Sequence, residues 1–316
     1  MHTQKKTFIT GVILTLVGGL FWGLSGTCGQ YLFTYKNVTA NWLVPLRLTL
    51  AGFLLLLYYT LFFSFVPKEK QPEIPAGKLF PLFRVFETKK NRHDIILYSL
   101  FGLMLCQFTY FKAIELSNAG TATVIQYIGP ILVLLTICIM SRRLPTGLEL
   151  LAVILAFGGI FLLATHGNIH SLTLSGYALF MGLLSAASIV VYTLQPKKLM
   201  EQFPAPYLLG WAMFIGGLIL MFVFRPFHAQ IIWDLETVLC LVGVIFLGTI
   251  LSFSFYMTGV KLVGPQKASL YACIEPIASA FLSAVWLKVP FAGLDYVGFA
   301  LVISTIFITS VPSRKK

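Results

Sequence analysis

The residue best suited to chemistry is Glu275, an acid inside the apolar run that covers positions 267–287. If that run is a helix, Glu275 lies about eight positions from its start, or roughly 12 Å along the axis. An ionisable group at that depth in a membrane is costly and by default marks a functional site. Its carboxyl group could carry a proton or bind a cationic group of a substrate. The alternative is a structural role, in which Glu275 is protonated or hydrogen-bonded to a neighbouring helix beside Pro276.

Other polar side chains share a helical face with one another or with Glu275, at spacings of three or four residues. Lipid would leave their hydrogen-bonding groups unsatisfied, so we expect them to face the interior of a helix bundle. The pairs are Gln126 with Pro130, Tyr271 with Glu275, and Gln107 with Tyr110.

Pro130 and Pro276 each lie in the middle of an apolar run. Proline removes a backbone hydrogen bond from a helix and bends it, so the sequence predicts a kink at each position. The carbonyl groups freed there could contact a substrate, or the bends could serve only packing.

Arg47 lies about six residues into its own apolar run. A long basic side chain at that depth can reach the membrane surface by snorkelling. The position therefore favours a structural anchor over a ligand contact.

Motifs for metal binding and hydrolysis are missing from the sequence. The histidines lie in loops or near the ends of apolar runs, without zinc-ligand spacing, and no P-loop, GxSxG or HExxH pattern occurs. The five cysteines fall inside apolar runs without CxxC spacing, which is typical of free, buried thiols. We therefore expect no metal, no cofactor and no enzymatic activity.

The composition is that of a membrane protein. Of 316 residues, 58% are hydrophobic and 11% are charged, whereas soluble proteins carry roughly 25% charged residues. Because one crossing needs about 20 apolar residues, the sequence predicts an all-α integral membrane protein with ten transmembrane helices. The ten apolar runs cover positions 10–33, 41–65, 94–113, 118–140, 146–165, 173–195, 205–224, 236–257, 267–287 and 292–311.

The one long connection, at positions 66–93, carries seven cations. Its inner part from Leu79 to Phe86 is aromatic and aliphatic apart from Arg84, with other cations on either side, which suits a short segment lying in the membrane interface. A partly disordered loop is the equal alternative.

The distribution of cations predicts the orientation. If the N-terminus is cytoplasmic, eighteen Lys and Arg residues lie in cytoplasmic segments, four lie outside, and Arg47 lies within a helix. Cytoplasmic loops retain Lys and Arg, so both termini are predicted to lie on the cytoplasmic side of the cell membrane. The net charge of +12 has the same explanation and does not indicate nucleic-acid binding.

The chain also contains an internal repeat. A shift of 146 positions superposes residues 102–164 on 248–310 and matches, among others, Gly102 with Gly248, Tyr110 with Tyr256 and Pro130 with Pro276. Because each half contributes five crossings, an odd number, the second copy must be inverted relative to the first. Inverted repeats are typical of transporters that work by alternating access, although some channels share the arrangement.

These features resemble the EamA-type transporters of the drug/metabolite transporter superfamily. The resemblance rests on the tract from Tyr110 to Pro130, on Ile274-Glu275-Pro276, on Phe21-Trp22-Gly23-Leu24-Ser25, on Arg47, and on Gly147-Leu148-Glu149 with its counterpart Gly293-Leu294-Asp295. It implies two EamA repeats, at 8–165 and 173–311, around a cavity lined mainly by helices 1, 3, 4, 6, 8 and 9. The chain departs from the family pattern at Ser141-Arg142-Arg143 and Leu287-Lys288-Val289, where members often have Gly-Glu.

The resemblance also places four aromatic residues around the cavity: Trp22, Tyr127, Tyr192 and Tyr256. An aromatic cavity with one acid suits a small amphipathic or cationic metabolite, such as an amino acid or an amine, through stacking and cation–π contacts. We predict a secondary-active transporter that moves such a substrate across the lipid bilayer, with protons as the candidate coupling ion. The alternatives are a channel or facilitator without coupling and, less favoured, an intramembrane enzyme. Substrate identity, direction and oligomeric state are left open by the sequence.

Overall fold

The computed structural model of the chain describes residues 2–65, 80–166, 174–264, 268 and 271–310. These residues form helices and turns, and no strand occurs among them. The first part of the basic connection, up to and including Leu79, lies outside the described residues.

Ten helices account for most of the described chain, and each corresponds to one apolar run of the sequence. They are α1 (His2–Tyr35), α2 (Ala40–Phe65), α3 (Lys89–Leu116), α4 (Ala119–Met140), α5 (Gly147–Thr165), α6 (Gly176–Leu194), α7 (Ala205–Phe224), α8 (Leu235–Val263), α9 (Ile274–Val285) and α10 (Gly293–Ser310).

Eight of these helices, α1 to α8, are long and apolar enough to cross a membrane, and α9 and α10 give shorter apolar segments. The outer surface of the bundle carries large exposed apolar side chains, among them Tyr58, Phe161, Phe222 and Phe281. Water would not tolerate so much apolar surface. The described residues therefore confirm an all-helical membrane protein.

Side-chain caps define the start of several helices. Each cap accepts a hydrogen bond from a backbone N–H that has no partner within the helix. The pairs are Asn118 with Thr121 in α4, Thr146 with Glu149 in α5, Ser175 with Ala178 in α6, and Asp234 with Thr237 in α8. At α5 the Glu149 side chain also accepts from the Thr146 N–H, which completes a capping box.

Regular α-helix is interrupted at four related positions. Wider π-helical turns occupy Tyr98–Met104 within α3 and Gly243–Leu251 within α8. A turn at Tyr127–Ile128 divides α4, and a turn at Cys273 precedes α9. The two π-helical segments are about 146 positions apart, and so are the two turns. This is the shift that superposes the two halves of the sequence.

The prolines differ from their predicted role as kinks in continuous helices. Pro130 lies in the first turn of the helical segment Gly129–Met140, and Pro276 lies in the first turn of α9. A backbone N–H in a first turn has no acceptor within its helix, so proline removes nothing there. Each proline therefore begins a new segment after an interruption.

The halves of the chain are interleaved. Helices from the first half pack extensively on helices from the second, in the pairs α2 with α7, α5 with α10, α1 with α8 and α3 with α6. Glycine permits the closest approaches: a Cβ at Gly52 of α2 would lie 2.4 Å from the backbone N of Phe214 in α7.

The described part of the predicted interfacial segment is a short 3₁₀-helix, Pro81–Phe86. It packs on α7, where the Tyr207 hydroxyl and the Trp211 indole N–H both donate to the Leu82 carbonyl at 2.8 Å. The Val85 N–H donates back to the Tyr207 hydroxyl at 3.1 Å. For these residues the ordered segment, rather than the disordered loop, is observed.

Candidate functional site

A cavity of about 480 Å³ lies between the two halves of the chain. This volume falls within the range of roughly 300–1,000 Å³ that is usual for small-molecule sites. Its walls come from α1, α2, α3, α4, α6, α8 and the segment around the start of α9: Trp22, Ser25, Arg47, Leu103, Cys106, Gln107, Tyr110, Gln126, Tyr127, Pro130, Ile189, Tyr192, Phe253, Tyr256, Ala272, Cys273 and Glu275. Most of the residues singled out from the sequence are in this set. Tyr271 and Pro276 are not.

Glu275 reaches the cavity from the first turn of α9. Its Oε2 accepts a hydrogen bond of 2.9 Å from the Tyr127 hydroxyl, which also lies 3.2 Å from the Ala272 carbonyl oxygen. The first turn of a helix favours a negative charge, because its N–H groups and the helix dipole point toward that end. The two interruptions, at Tyr127–Ile128 and at Cys273, are therefore where the acid and its hydroxyl donor meet.

Tyr271 does not line the cavity with Glu275, although their spacing of four residues predicted that the two side chains share one helical face. The turn at Cys273 lies between the two residues, so they do not belong to one continuous helix. A helical period applies only within an unbroken helix.

Arg47 is buried inside the bundle, with 3% of its surface exposed. Its Nε donates to Thr249 Oγ1 at 3.0 Å, Nη1 to Gln107 Oε1 at 3.0 Å, and Nη2 to the Gly248 carbonyl at 3.3 Å. Snorkelling toward the membrane surface is therefore wrong for this residue. Its guanidinium faces the cavity, and sequence reasoning missed its partners on α8.

The π-helical segment of α8 carries two of the acceptors of Arg47, the Gly248 carbonyl and the Thr249 hydroxyl. Single π-helical turns inside α-helices are frequent at functional sites. Thr249 donates its own hydroxyl to the Val244 carbonyl at 3.1 Å and accepts from Arg47. Glycine at 248 is needed for space, because a Cβ there would lie 2.2 Å from Ser25 Cβ.

Neutral polar side chains of the cavity wall are paired with groups beside it. Gln126 Nε2 donates to Ser185 Oγ at 2.6 Å, and that hydroxyl donates to the Cys106 carbonyl at 3.0 Å. The Tyr110 and Thr123 hydroxyls are paired at 2.7 Å. Ser185 was missed by the sequence reasoning, although a hydroxyl in an apolar run that faces Gln126 is a usable signal.

The charged members of the cavity are Arg47 and Glu275, and they form no direct ion pair. All three acceptors of Arg47 are neutral, and no Arg47 nitrogen lies within 4.0 Å of a carboxylate oxygen among the described residues. The cavity therefore carries one positive and one negative group that do not touch.

Aromatic rings form an apolar wall beside these charges. Trp22 lies with its ring centroid 5.1 Å from that of Phe253 and 5.2 Å from that of Tyr256. Tyr192 stacks on Tyr98 at 5.8 Å. These rings offer stacking surface to an apolar part of a ligand.

An ion-pair cluster joins the end of α1 to the start of α8. Lys36 Nζ donates to Asp234 at 2.5 Å and to Glu236 at 2.7 Å, and the Tyr31 hydroxyl also donates to Glu236. Lys36 and the Thr237 N–H lower the pKa of Asp234 to about 2, and the two carboxylates raise the pKa of Lys36. The residues Tyr31, Lys36, Asp234 and Glu236 are called the charged junction below.

A neutral contact joins the end of α6, and the turn that follows it at Gln202, to the start of α3. Gln195 Nε2 donates to the Asp94 carbonyl at 2.9 Å, and Asn91 Nδ2 donates to Gln202 Oε1 at 3.3 Å. These residues are called the amide junction. The two halves of the chain are thus joined by one charged and one neutral junction.

Comparison with known proteins identifies the chain. The model of the EamA-like transporter family matches residues 9–165 and 176–311. The chain belongs to this family. It is 33% identical over 310 residues to the uncharacterized inner membrane transporter YicL of Salmonella typhimurium, and the match covers 97% of each protein. It is 23% identical over 245 residues to the threonine/homoserine exporter RhtA of Escherichia coli K12, covering 75% of this chain and 77% of that protein.

A solved crystal structure shares the fold, with a TM-score of 0.59, 15% identity, and coverage of 98% of this chain and 97% of the other. The EamA-like protein described here is therefore a multi-pass membrane transporter of the inner membrane. The resemblance inferred from the sequence is confirmed. A transporter of this family has a small-molecule substrate and works within the lipid bilayer.

Proposed function

We propose that this EamA-like protein is a secondary-active transporter with ten membrane helices, arranged as two inverted five-helix repeats. It moves a small organic metabolite, an amino acid, amine or related compound, by alternating access. The observation that carries the proposal is the cavity between the two halves, which holds one acid, one base and an aromatic wall. The exporter RhtA, which is named for threonine and homoserine, makes those two compounds sensible first probes.

The repeated irregularities of the helices support the inverted repeat. The π-helical turns in α3 and α8 and the interruptions at α4 and α9 are related by the same shift as the sequence match. In many transporters, interrupted helices at the repeat interface form the substrate site. Here, each interruption contributes one member of the Tyr127–Glu275 hydrogen bond.

The two junctions support alternating access. In that mechanism one end of the cavity opens while the other stays closed, so each end needs contacts between the halves that can form and break. The charged junction joins α1 to α8, and the amide junction joins α6 to α3. Both contacts link the first half to the second.

The distribution of cations supports the orientation, with both termini in the cytoplasm and the charged junction on the outer side. This orientation requires α9 and α10 to cross the membrane as well. A reporter fused after Lys316 tests it: activity of a cytoplasmic reporter is expected, and activity of an external reporter instead would contradict the count of ten.

Counterflow in proteoliposomes tests the transport function. Vesicles that contain the purified protein are loaded with unlabelled threonine, homoserine or a simple amine, and diluted into a trace of the same labelled compound. Transient accumulation that saturates with concentration is expected for a transporter. Linear, unsaturable equilibration would indicate a channel, and chemical conversion of the label would indicate an enzyme.

Glu275→Gln tests the role of the acid in the same assay. It removes the charge and keeps the volume, so loss of counterflow is expected. Glu201→Gln is the matched control, because Glu201 is exposed in a turn and does not line the cavity. Normal counterflow by Glu275→Gln would show that the acid is structural.

Proton coupling is tested by an imposed pH gradient across the vesicle membrane, which is expected to change the initial rate of substrate transport by the wild type.

A further inference from the structure

We propose that Arg47 binds an anionic group of the substrate, and that Arg47 and Glu275 together select molecules carrying both a carboxylate and an ammonium group. This inference rests on the proposed function, because it concerns the same cavity. Arg47, interpreted from the sequence as a structural anchor, is then a residue that determines substrate specificity.

The first argument is that the Arg47 charge has no anion beside it. Its side chain is almost fully buried, and its acceptors are a hydroxyl, an amide oxygen and a backbone carbonyl. Burying a charge is costly unless it is paired. No carboxylate oxygen of the described residues lies within 4.0 Å of it, so an anionic group of a ligand can pair with it directly.

The second argument is that Arg47 has donors to spare in a fixed geometry. A guanidinium has five N–H groups, and three of them are used, one on each nitrogen. One N–H therefore stays open on each terminal nitrogen, and a carboxylate can accept two hydrogen bonds from a guanidinium at once. The ring of Phe111 lies 4.6 Å from the guanidinium carbon and further restrains its position.

The third argument is an unsatisfied hydroxyl in the same cavity. Ser25 lines the cavity with 2% of its surface exposed, and its Oγ has no hydrogen-bond partner within the described part of the chain. Buried polar groups are nearly always paired. Ser25 also lies against Gly248, whose carbonyl accepts from Arg47, so a ligand held by Arg47 has a second polar group nearby.

Glu275 supplies the opposite charge in the same space. It accepts one hydrogen bond from Tyr127 and faces no cation of the protein in direct contact. A substrate with an ammonium group can neutralise it, while a substrate with only a carboxylate meets repulsion there. A molecule with both groups leaves neither Arg47 nor Glu275 unpaired.

Matched compounds that differ only in their charged ends test this proposal. The first set is threonine, 1-aminopropan-2-ol and 3-hydroxybutanoate; the second is phenylalanine, phenethylamine and 3-phenylpropanoate. Binding is measured by titrated thermal stabilisation of the full-length protein in detergent. In at least one set the zwitterion is expected to bind tenfold or more tightly than either analogue, because a site built for a polar group rejects a molecule that lacks it.

The variant Arg47→Gln identifies the residue that makes this choice. The preference for the zwitterion over the amine is expected to fall to about one, while binding of the amine is retained. Arg47→Lys keeps the charge and loses the paired donors, so an intermediate preference is expected, and it serves as the readout if Arg47→Gln does not fold. Arg142→Gln, on an exposed turn, is the matched control and should leave the preference intact.

Three results would overturn the proposal. The amine could bind the wild type as tightly as the zwitterion, all three compounds of each set could fail to bind, or Arg47→Gln could weaken every compound equally, as a purely structural brace would. Binding in detergent requires no transport. A zwitterion that binds through Arg47 but shows no counterflow would therefore refute the proposed function and leave this inference standing.

Discussion

Adding one methyl group to α1 at Gly23 should force α1 and α9 apart, and this is the sharpest test of how Glu275 is positioned. A Cβ built on Gly23 would lie 2.9 Å from Ala278 Cβ, 2.9 Å from the Glu275 carbonyl oxygen and 3.0 Å from the Ser279 nitrogen. Two of these atoms belong to the backbone of α9, so no side-chain rotation can relieve the contact. Gly23→Ala must therefore shift a helix by several tenths of an ångström.

The expected cost follows from two opposing terms. Overpacking of a well-packed site costs about 1–3 kcal/mol, and replacing glycine by alanine within a helix returns about 1 kcal/mol. A net loss of up to about 2 kcal/mol lowers the melting temperature by up to about 8 °C, at about 2–4 °C per kcal/mol. The shift also moves the backbone that carries Glu275, so ligand binding is expected to weaken together with stability.

The matched control is Gly158→Ala in α5, where a Cβ would have no atom within 4 Å. There only the gain in helix propensity applies, so the melting temperature is expected to stay level or rise. Both variants are melted in the same detergent, with and without a bound probe. If Gly23→Ala melts at or above the temperature of Gly158→Ala, then α1 and α9 are not in close contact at Gly23.

Three further predictions concern the hydrogen bond to Glu275 and the charged junction. Tyr127→Phe removes a hydrogen bond to a charged group, a loss of about 1.5–3 kcal/mol, so titration should show roughly tenfold or weaker binding of amine-bearing probes. Lys36→Met removes both ion pairs of the charged junction and should increase labelling of Cys106, with the other cysteines replaced by alanine, by an external impermeant maleimide. Because the pKa of Asp234 is lowered from 3.8 to about 2, its ionised form stabilises the junction above about pH 3.8 and this contribution is lost as the pH falls through about 2. Labelling in the wild type should therefore not vary between pH 5 and 8 through this group.

Each of these has a clear contrary outcome. Unchanged amine binding by Tyr127→Phe would mean that the hydroxyl does not hold the carboxylate of Glu275. Labelling of Cys106 that stays at the wild-type level in Lys36→Met would mean that the ion pairs do not close the cavity. A strong increase in labelling between pH 8 and pH 5 would assign the closure to a group other than Asp234.

The helices themselves could be predicted because the membrane leaves the backbone few choices. In lipid every N–H and C=O group must be satisfied within its own segment, so a long apolar run becomes a helix. The predicted ends differ where polar residues continue a helix beyond the apolar run. At α3 the Thr88 side chain accepts from the Asn91 N–H and starts the helix at Lys89, five residues before the predicted start at position 94.

The interruptions could not be predicted from proline alone. Proline at 130 and 276 indicated a bend at each position, but the turns lie just before the prolines, at Tyr127–Ile128 and Cys273. That small displacement changes which residues share a face. It separates Tyr271 from Glu275 and brings Tyr127, from the other half of the chain, to the acid instead.

Arg47 shows the limit of depth as a guide to orientation. Its distance from the end of α2 is compatible with snorkelling, because a side chain of that length can reach either the surface or the interior. The Arg47 side chain points to the interior because its acceptors, Gly248 and Thr249, lie there, about 200 positions away in the sequence. Both lie in the π-helical segment of α8, and no pattern within α2 carries that information. A buried cation is therefore specified jointly by the helix that carries it and the irregular helix that receives it. For this reason, substitution of Thr249 should affect substrate preference in the same direction as substitution of Arg47.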